Sequence, residues 1–147
     1  KLSHVEEHMR QGSELRIAKA SDSVREVFAQ ARHQGRRTGA VMLVDVEGKL
    51  AGLYTDSDLA RLFERRAYDC FDAAVSAVMT KSPLTIHRGA RMEDAVALMR
   101  LHKISELPVI DDDGKPVGLL DVTDLIGAEA IAEKEPAKVR LAKRVSA

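Results

Sequence analysis

The sequence predicts an α/β fold of the α+β kind, made of two β-α-β-β-α repeats packed about a pseudo-twofold axis. Three observations predict it. The octapeptide GLYTDSDL (52–59) returns 66 residues later as GLLDVTDL (118–125). Each copy follows the same order of patterns: an extended stretch, a helical period, and two apolar runs around an acidic turn. One such repeat is too small to bury both faces of its own sheet, so the two copies must cover each other.

The first copy runs from about Met9 to Leu62 and the second from about Met79 to Ile126. Each opens on a Met, a polar break and an extended stretch, ELRIA (14–18) and SPLTI (82–86). An amphipathic helix follows. SDSVREVFAQARHQ (21–34) sets Val24, Val27, Phe28 and Ala31 on one face, and MEDAVALMRLH (92–102) does the same with Met92, Ala95, Val96 and Met99. Ser23 and Glu26 have the spacing of a capping box at the first helix start. The runs 40–55 and 106–121 read as β-hairpins that turn at Gly48-Lys49 and Gly114-Lys115. A closing helix begins at Ser57 in one copy and Val122 in the other. From Met to the last motif Asp is 49 residues in the first copy (9 to 58) and 45 in the second (79 to 124). The extra length is placed around RHQGRRTG (32–39). Boundaries are set at 5–66 and 75–130, with a basic helix or tail at 131–147.

Of the 147 residues, 45% are apolar but only 3% are aromatic, so the core is aliphatic. Lys+Arg and Asp+Glu both number 23. That balance excludes a general nucleic-acid binder. Residues 133 to 147 carry Lys134, Lys138, Arg140, Lys143 and Arg144 against Glu133 and Glu135, which is the pattern of a solvated helix or frayed end. Cys70 is the single cysteine, in keeping with a reducing cytoplasm. No apolar run is long enough for a membrane span. The chain opens on Lys1, which points to a piece of a larger protein.

HVEEH (4–8) matches an inverted zinc-peptidase pattern, yet a catalytic zinc needs a third ligand and a cleft. It is read as a linker into the first repeat. Cys70 has no His near it in sequence and is read as packed in the connection between repeats. His87 is read as structural. Met42, Met79, Met92 and Met99 are read as core fillers. No catalytic residue and no metal ligand is assigned.

Two β-α-β-β-α copies, each ending in Gly-x-x-[Thr/Ser]-x-x-Asp or a near variant, resemble a tandem pair of CBS domains. KISELPVID (103–111), leading into the second hairpin, is typical of that family. GLYTDSDLARLFERR followed by VSAVMTKSPLTI also resembles the C-terminal CBS pair of sugar-phosphate isomerases that interconvert arabinose 5-phosphate and ribulose 5-phosphate. In those proteins an upstream SIS domain carries the catalysis. The resemblance implies a regulatory module, not an enzyme in itself. Its ligand would be a nucleotide: AMP, ADP, ATP or a cytidine sugar nucleotide. The upstream SIS domain and a second copy of the chain would be its partners. A purely structural dimerisation module is the rival reading.

The motif bears two readings. Thr55 and Asp58, like Asp121 and Asp124, have the spacing of an N-cap and its N3 acid, which stability alone explains. The same helix start also suits a phosphate. A Thr hydroxyl adds a donor, and an Asp three residues on can accept from two ribose hydroxyls. The resemblance assigns those roles to these positions. Asp121 then matters, because an ionised carboxylate cannot donate. Two like charges about 4 Å apart repel by roughly 1 to 4 kcal/mol. The first position is thus suited to a phosphorylated ligand, and the second to an uncharged nucleoside end or to nothing. Arg36 and Arg37 in the first copy, and His102 and Lys103 in the second, stand in the loop before the hairpin. They can reach a ligand phosphate or simply be solvated. Leu59, Leu62 and Phe63, with Leu125 and Ile126, are expected as exposed apolar faces for a homodimer.

Overall fold

A computed structural model describes residues 3–30 and 39–125. Ala31, Arg36, Arg37, Ile126 and the basic segment 131–147 lie outside these residues.

The first repeat consists of β1 (Ile17–Lys19), α1 (Val24–Gln30), β2 (Ala40–Val44), β3 (Leu50–Thr55) and α2 (Asp56–Glu64). A short strand β4 (Thr80–Lys81) follows. The second repeat consists of β5 (Ile86–His87), α3 (Met92–His102), β6 (Glu106–Ile110) and β7 (Pro116–Asp121), with residues 122–125 helical. In each repeat a parallel pair is extended by an antiparallel hairpin: β1-β2-β3 in one sheet and β5-β6-β7 in the other.

Local chemistry accounts for these elements. Ser23 Oγ accepts from the Glu26 N–H at 3.0 Å, and Glu26 Oε1 accepts from the Ser23 N–H at 2.9 Å, closing the expected capping box. Both hairpins turn on a glycine at positive φ, Gly48 at 85° and Gly114 at 82°, where a Cβ would be strained. Asp45 and Asp111 brace these turns, each accepting two backbone N–H bonds. The turns also meet each other, since the Leu50 N–H donates to the Gly114 carbonyl at 2.9 Å. The stretch 14–18, expected to be extended, is not so throughout. Glu14 closes a 3-10 turn by accepting from the Gln11 N–H, and the strand starts at Ile17.

The leading segment of each repeat joins the other repeat's sheet. Strand β4, which opens the second copy, pairs with β3 of the first. Arg10, which opens the first copy, bridges Leu119 of β7 in the second. The cores follow the same exchange. Val5 and Met9 are buried with Met92, Met99, Leu107 and Leu120, while Val75 is buried with Val24, Val27, Leu43, Tyr54 and Leu62. Gly52 and Gly118 are small for this reason, because a Cβ there would overlap the Met79 and Met9 side chains respectively. Ala40, Met42, Leu53 and Leu119 form a third cluster that joins the repeats.

Two expectations are corrected. HVEEH is no loose linker: residues 5–7 form a 3-10 turn, Val5 is fully buried in the second core, and its N–H donates to the Ala90 carbonyl. Apolar burial holds it there. Nor do the closing helices present the expected exposed faces. Leu62 is 1% exposed and Leu125 4%, each spent on its own core, and Leu59 packs partly against the first. Phe63, at 53%, is exposed as expected. It sits with Tyr68 and Phe71 in a cluster of three rings. Cys70 packs partly against the first core within the connection, and Met42, Met92 and Met99 are buried. No helix among the described residues is long and apolar enough to cross a membrane.

Candidate functional site

The two motif ends, where β3 and β7 pass into helix, are built alike. The first residue of each helix donates its N–H back to the loop before the hairpin: Asp56 to the Gly39 carbonyl and Val122 to the Ser105 carbonyl, both at 2.8 Å. This bond holds the strand end, the helix start and the end of the loop together.

At the first end Thr55 is extended (φ −111°, ψ 166°) and caps α2. Its Oγ1 accepts from the Asp58 N–H at 3.1 Å, and Asp58 Oδ2 accepts from the Thr55 N–H at 2.9 Å. The other Asp58 oxygen takes Arg61, one turn along the same helix. Tyr54 is buried beside them and its hydroxyl donates to the Asp58 carbonyl at 3.3 Å. Burial, with the Asp58 charge added, pushes the Tyr54 hydroxyl up to about 12. Asp56 turns the other way and meets Arg16 Nη1 at 3.4 Å. Arg16 is buried to 4% exposure and lies 5.3 Å from the centre of the Phe28 ring. A buried cation thus stands at the first helix start, held by a carboxylate and an aromatic face.

At the second end the cap is rearranged. Asp124 Oδ2 accepts from the Asp121 N–H at 3.1 Å, as in the first. The Asp121 carboxylate, however, turns to Thr123, accepting from its N–H at 3.0 Å and its hydroxyl at 2.8 Å. Asp124 is also gripped by Arg10, with Nε to Oδ2 at 3.1 Å and Nη2 to Oδ1 at 3.3 Å. Glu106 lies directly opposite Asp121 across the hairpin, where the first repeat has Ala40 opposite Thr55. Burial, followed by the charges of Asp121, Asp58 and Asp56, raises the Glu106 carboxyl above its ordinary value. Carboxylates of both helix starts thus act on the one Glu106 carboxyl, and Ala40 and Leu53 of the first repeat pack with Leu119 of the second.

Thr55 with Asp58, and Asp121 with Asp124, are thus brought together as pairs. His102 ends α3 and Lys103 caps it in the left-handed region (φ 55°); both are exposed, just before the Ser105 that braces the second helix start. Arg36 and Arg37 lie outside the described residues. Arg10, Arg16 and Glu106 join these ends without having been expected there. Each had a signal: Arg10 follows the repeat's opening Met, Arg16 interrupts an apolar stretch, and Glu106 stands where the other copy has Ala40.

The CBS domain family model matches residues 5–65 and 75–131, most of the chain and both repeats. The chain is a tandem pair of CBS domains. The CBS pair is 32% identical over 125 residues to the arabinose 5-phosphate isomerase KdsD of Francisella tularensis, covering 85% of this chain and 37% of that protein. It is 32% identical over 127 residues to KdsD of Pseudomonas aeruginosa, covering 86% and 38%. The chain therefore spans little over a third of the length of these curated relatives. Among solved structures, CBSX2 from Arabidopsis thaliana in complex with AMP superposes with a TM-score of 0.73 at 26% identity, covering 90% of this chain and 99% of that one. The cytosolic domain of the Mg2+ channel MgtE, at 21% identity and a TM-score of 0.67, shares the fold.

Proposed function

We propose that this CBS pair is the ligand-sensing regulatory part of an arabinose-5-phosphate isomerase, and that it binds an adenine or sugar nucleotide at the first helix start. The observation that carries the reading is the contrast between the two motif ends. At α2 a hydroxyl cap, a helix N-terminus and a carboxylate stand together with the buried cation Arg16 close by. A nucleoside monophosphate offers the complementary set: a phosphate for the helix end and two ribose hydroxyls for Asp58. The exposed Arg61 would give up Asp58 at little expense, since an exposed ion pair contributes at most about 1 kcal/mol. The likeness to CBSX2, solved with AMP, supports an adenine ligand, and the likeness to KdsD supports the parent reaction. A cytidine sugar nucleotide is the other candidate.

Regulation would run through differential affinity: a nucleotide that prefers one arrangement of the two repeats biases the catalytic SIS domain joined to them. Catalysis is assigned to the SIS domain, and the isolated chain is expected to leave arabinose 5-phosphate unchanged.

Titration calorimetry with AMP tests the site. Asp58→Ala is expected to weaken binding by about 1–3 kcal/mol, the usual cost of lost hydrogen bonds at a charged group. Unchanged affinity in that variant would remove Asp58 from the site. A second reading, a structural dimerisation module without ligand, draws on the exposed Phe63 and Tyr68 rings, which lie against the half-buried Phe71. It predicts a dimer by sedimentation and no shift in melting temperature with any nucleotide.

A further inference from the structure

We propose that Arg10 is a built-in occupant of the second repeat's ligand position, a latch that keeps Asp124 from accepting a nucleoside's hydroxyls. The inference rests on the reading above, in which the last motif acid accepts a ribose diol.

The latch is fixed at both ends. The Arg10 backbone is tied to β7 in both directions, its N–H donating to the Leu119 carbonyl at 2.9 Å and its carbonyl accepting from the Leu119 N–H at 3.0 Å. Its guanidinium then closes on both oxygens of Asp124, and Nη2 also donates to Thr123 Oγ1 at 3.3 Å. That hydroxyl in turn donates to Asp121. One side chain, only 8% exposed, thus engages both motif acids, Asp124 directly and Asp121 through Thr123. Burial works against its charge, yet the hydrogen bond and charge of Asp124, helped by Asp121 and Glu14, hold Arg10 above its ordinary value.

A planar guanidinium and a vicinal diol meet a carboxylate in the same way, with two parallel donors on two oxygens. They cannot do so together. In the first repeat the sheet position of Arg10 falls to Thr80, which pairs with Leu53 as Arg10 pairs with Leu119, and a threonine carries no fork. Among the described residues the cation on Asp58 is Arg61, which is 59% exposed and can swing into water. The chain therefore holds one open and one shut position. A ligand that did enter the second would also loosen the segment that carries Val5 and Met9 into the second core, so occupancy there is linked to the attachment of residues 3–10.

The test is calorimetry on the 147-residue chain with adenosine, which lacks the phosphate that Asp121 and Glu106 would repel, and with AMP as the comparison. Wild type is expected to take about one equivalent of either. Arg10→Gln keeps the packing stem and removes the fork; it should take a second equivalent of adenosine while AMP stays at one. Arg10→Gln/Asp124→Asn should return adenosine to one. If Arg10→Gln does not fold, Arg10→Lys keeps the charge without the fork and should admit the second adenosine more weakly. An unchanged adenosine count in a folded Arg10 variant overturns the latch, as does a second equivalent that survives Asp124→Asn. If wild type binds nothing and Arg10→Gln binds one adenosine, the latch stands and the first-position reading falls. If neither binds adenosine, both fall.

Discussion

The two helix starts share a backbone and differ in what surrounds it. At the first, Ala40 and Thr55 face each other and the motif acid has an exposed arginine for company. At the second, Glu106 and Asp121 face each other and the motif acid is closed by a buried arginine. Like charges directly opposite on an antiparallel pair destabilise it. The second end is therefore stabilised by a cation brought from the other copy's leading segment, whereas the first draws its cations, Arg16 and Arg61, from its own copy. The two ends share a frame, and three differences, Glu106 for Ala40, Asp121 for Thr55 and Arg10 for Thr80, make the second an ion-pair cluster.

That contrast can be broken most forcefully at Asp124. Asp124→Ala strands Arg10 in a nearly buried place, and losing one partner of such a pair costs about 3 kcal/mol. Asp58→Ala removes only an N3 acid and an exposed partner, and should cost about 1 kcal/mol of stability. Urea denaturation of the two variants checks the difference; equal losses would mean that Arg10 does not distinguish the ends.

The caps give a smaller contrast. Thr55→Val removes the oxygen that accepts from the Asp58 N–H and should cost about 1 kcal/mol. Asp121→Thr should cost less, since a threonine also caps and relieves the repulsion with Glu106. Melting temperatures at low ionic strength would show a clear drop for the first and little change for the second.

The finest test is pH. Glu106 titrates above its ordinary value in the folded chain, so the folded state holds its proton more tightly than the unfolded one. Stability from this group is present at low pH and is lost as pH rises from the ordinary glutamate range through the raised value. Glu106→Gln should gain at most about 2 °C in melting temperature at neutral pH, and the gain should vanish below about pH 4. A gain that persists in acid would place its origin in packing.

Much of the frame was legible because it rests on local chemistry. The repeat, the Ser23–Glu26 box, the glycine turns and the Thr55–Asp58 pair each depend on residues within a few positions of one another, so spacing alone exposes them. The burial of Leu62 and Leu125 was not legible. A helix period shows that a face is apolar, but which neighbour covers it depends on how far the sheet extends, and here each closing helix lies against its own core.

The two-copy architecture, the hairpins and the pairing of a cap with an acid at each helix start follow from the order of residues alone, because hydrophobic period and turn chemistry act over short distances. That the opening segment of each copy serves the other copy's sheet is a product of long-range packing. Arg10 and Asp124 stand 114 residues apart, and nothing in their local sequence ties them. The exchange of strands brings them together, because each short sheet has an unpaired edge and an uncovered apolar face that the other copy's leading Val and Met fill. The same exchange that completes the cores also sets a guanidinium on one motif acid and leaves the other open.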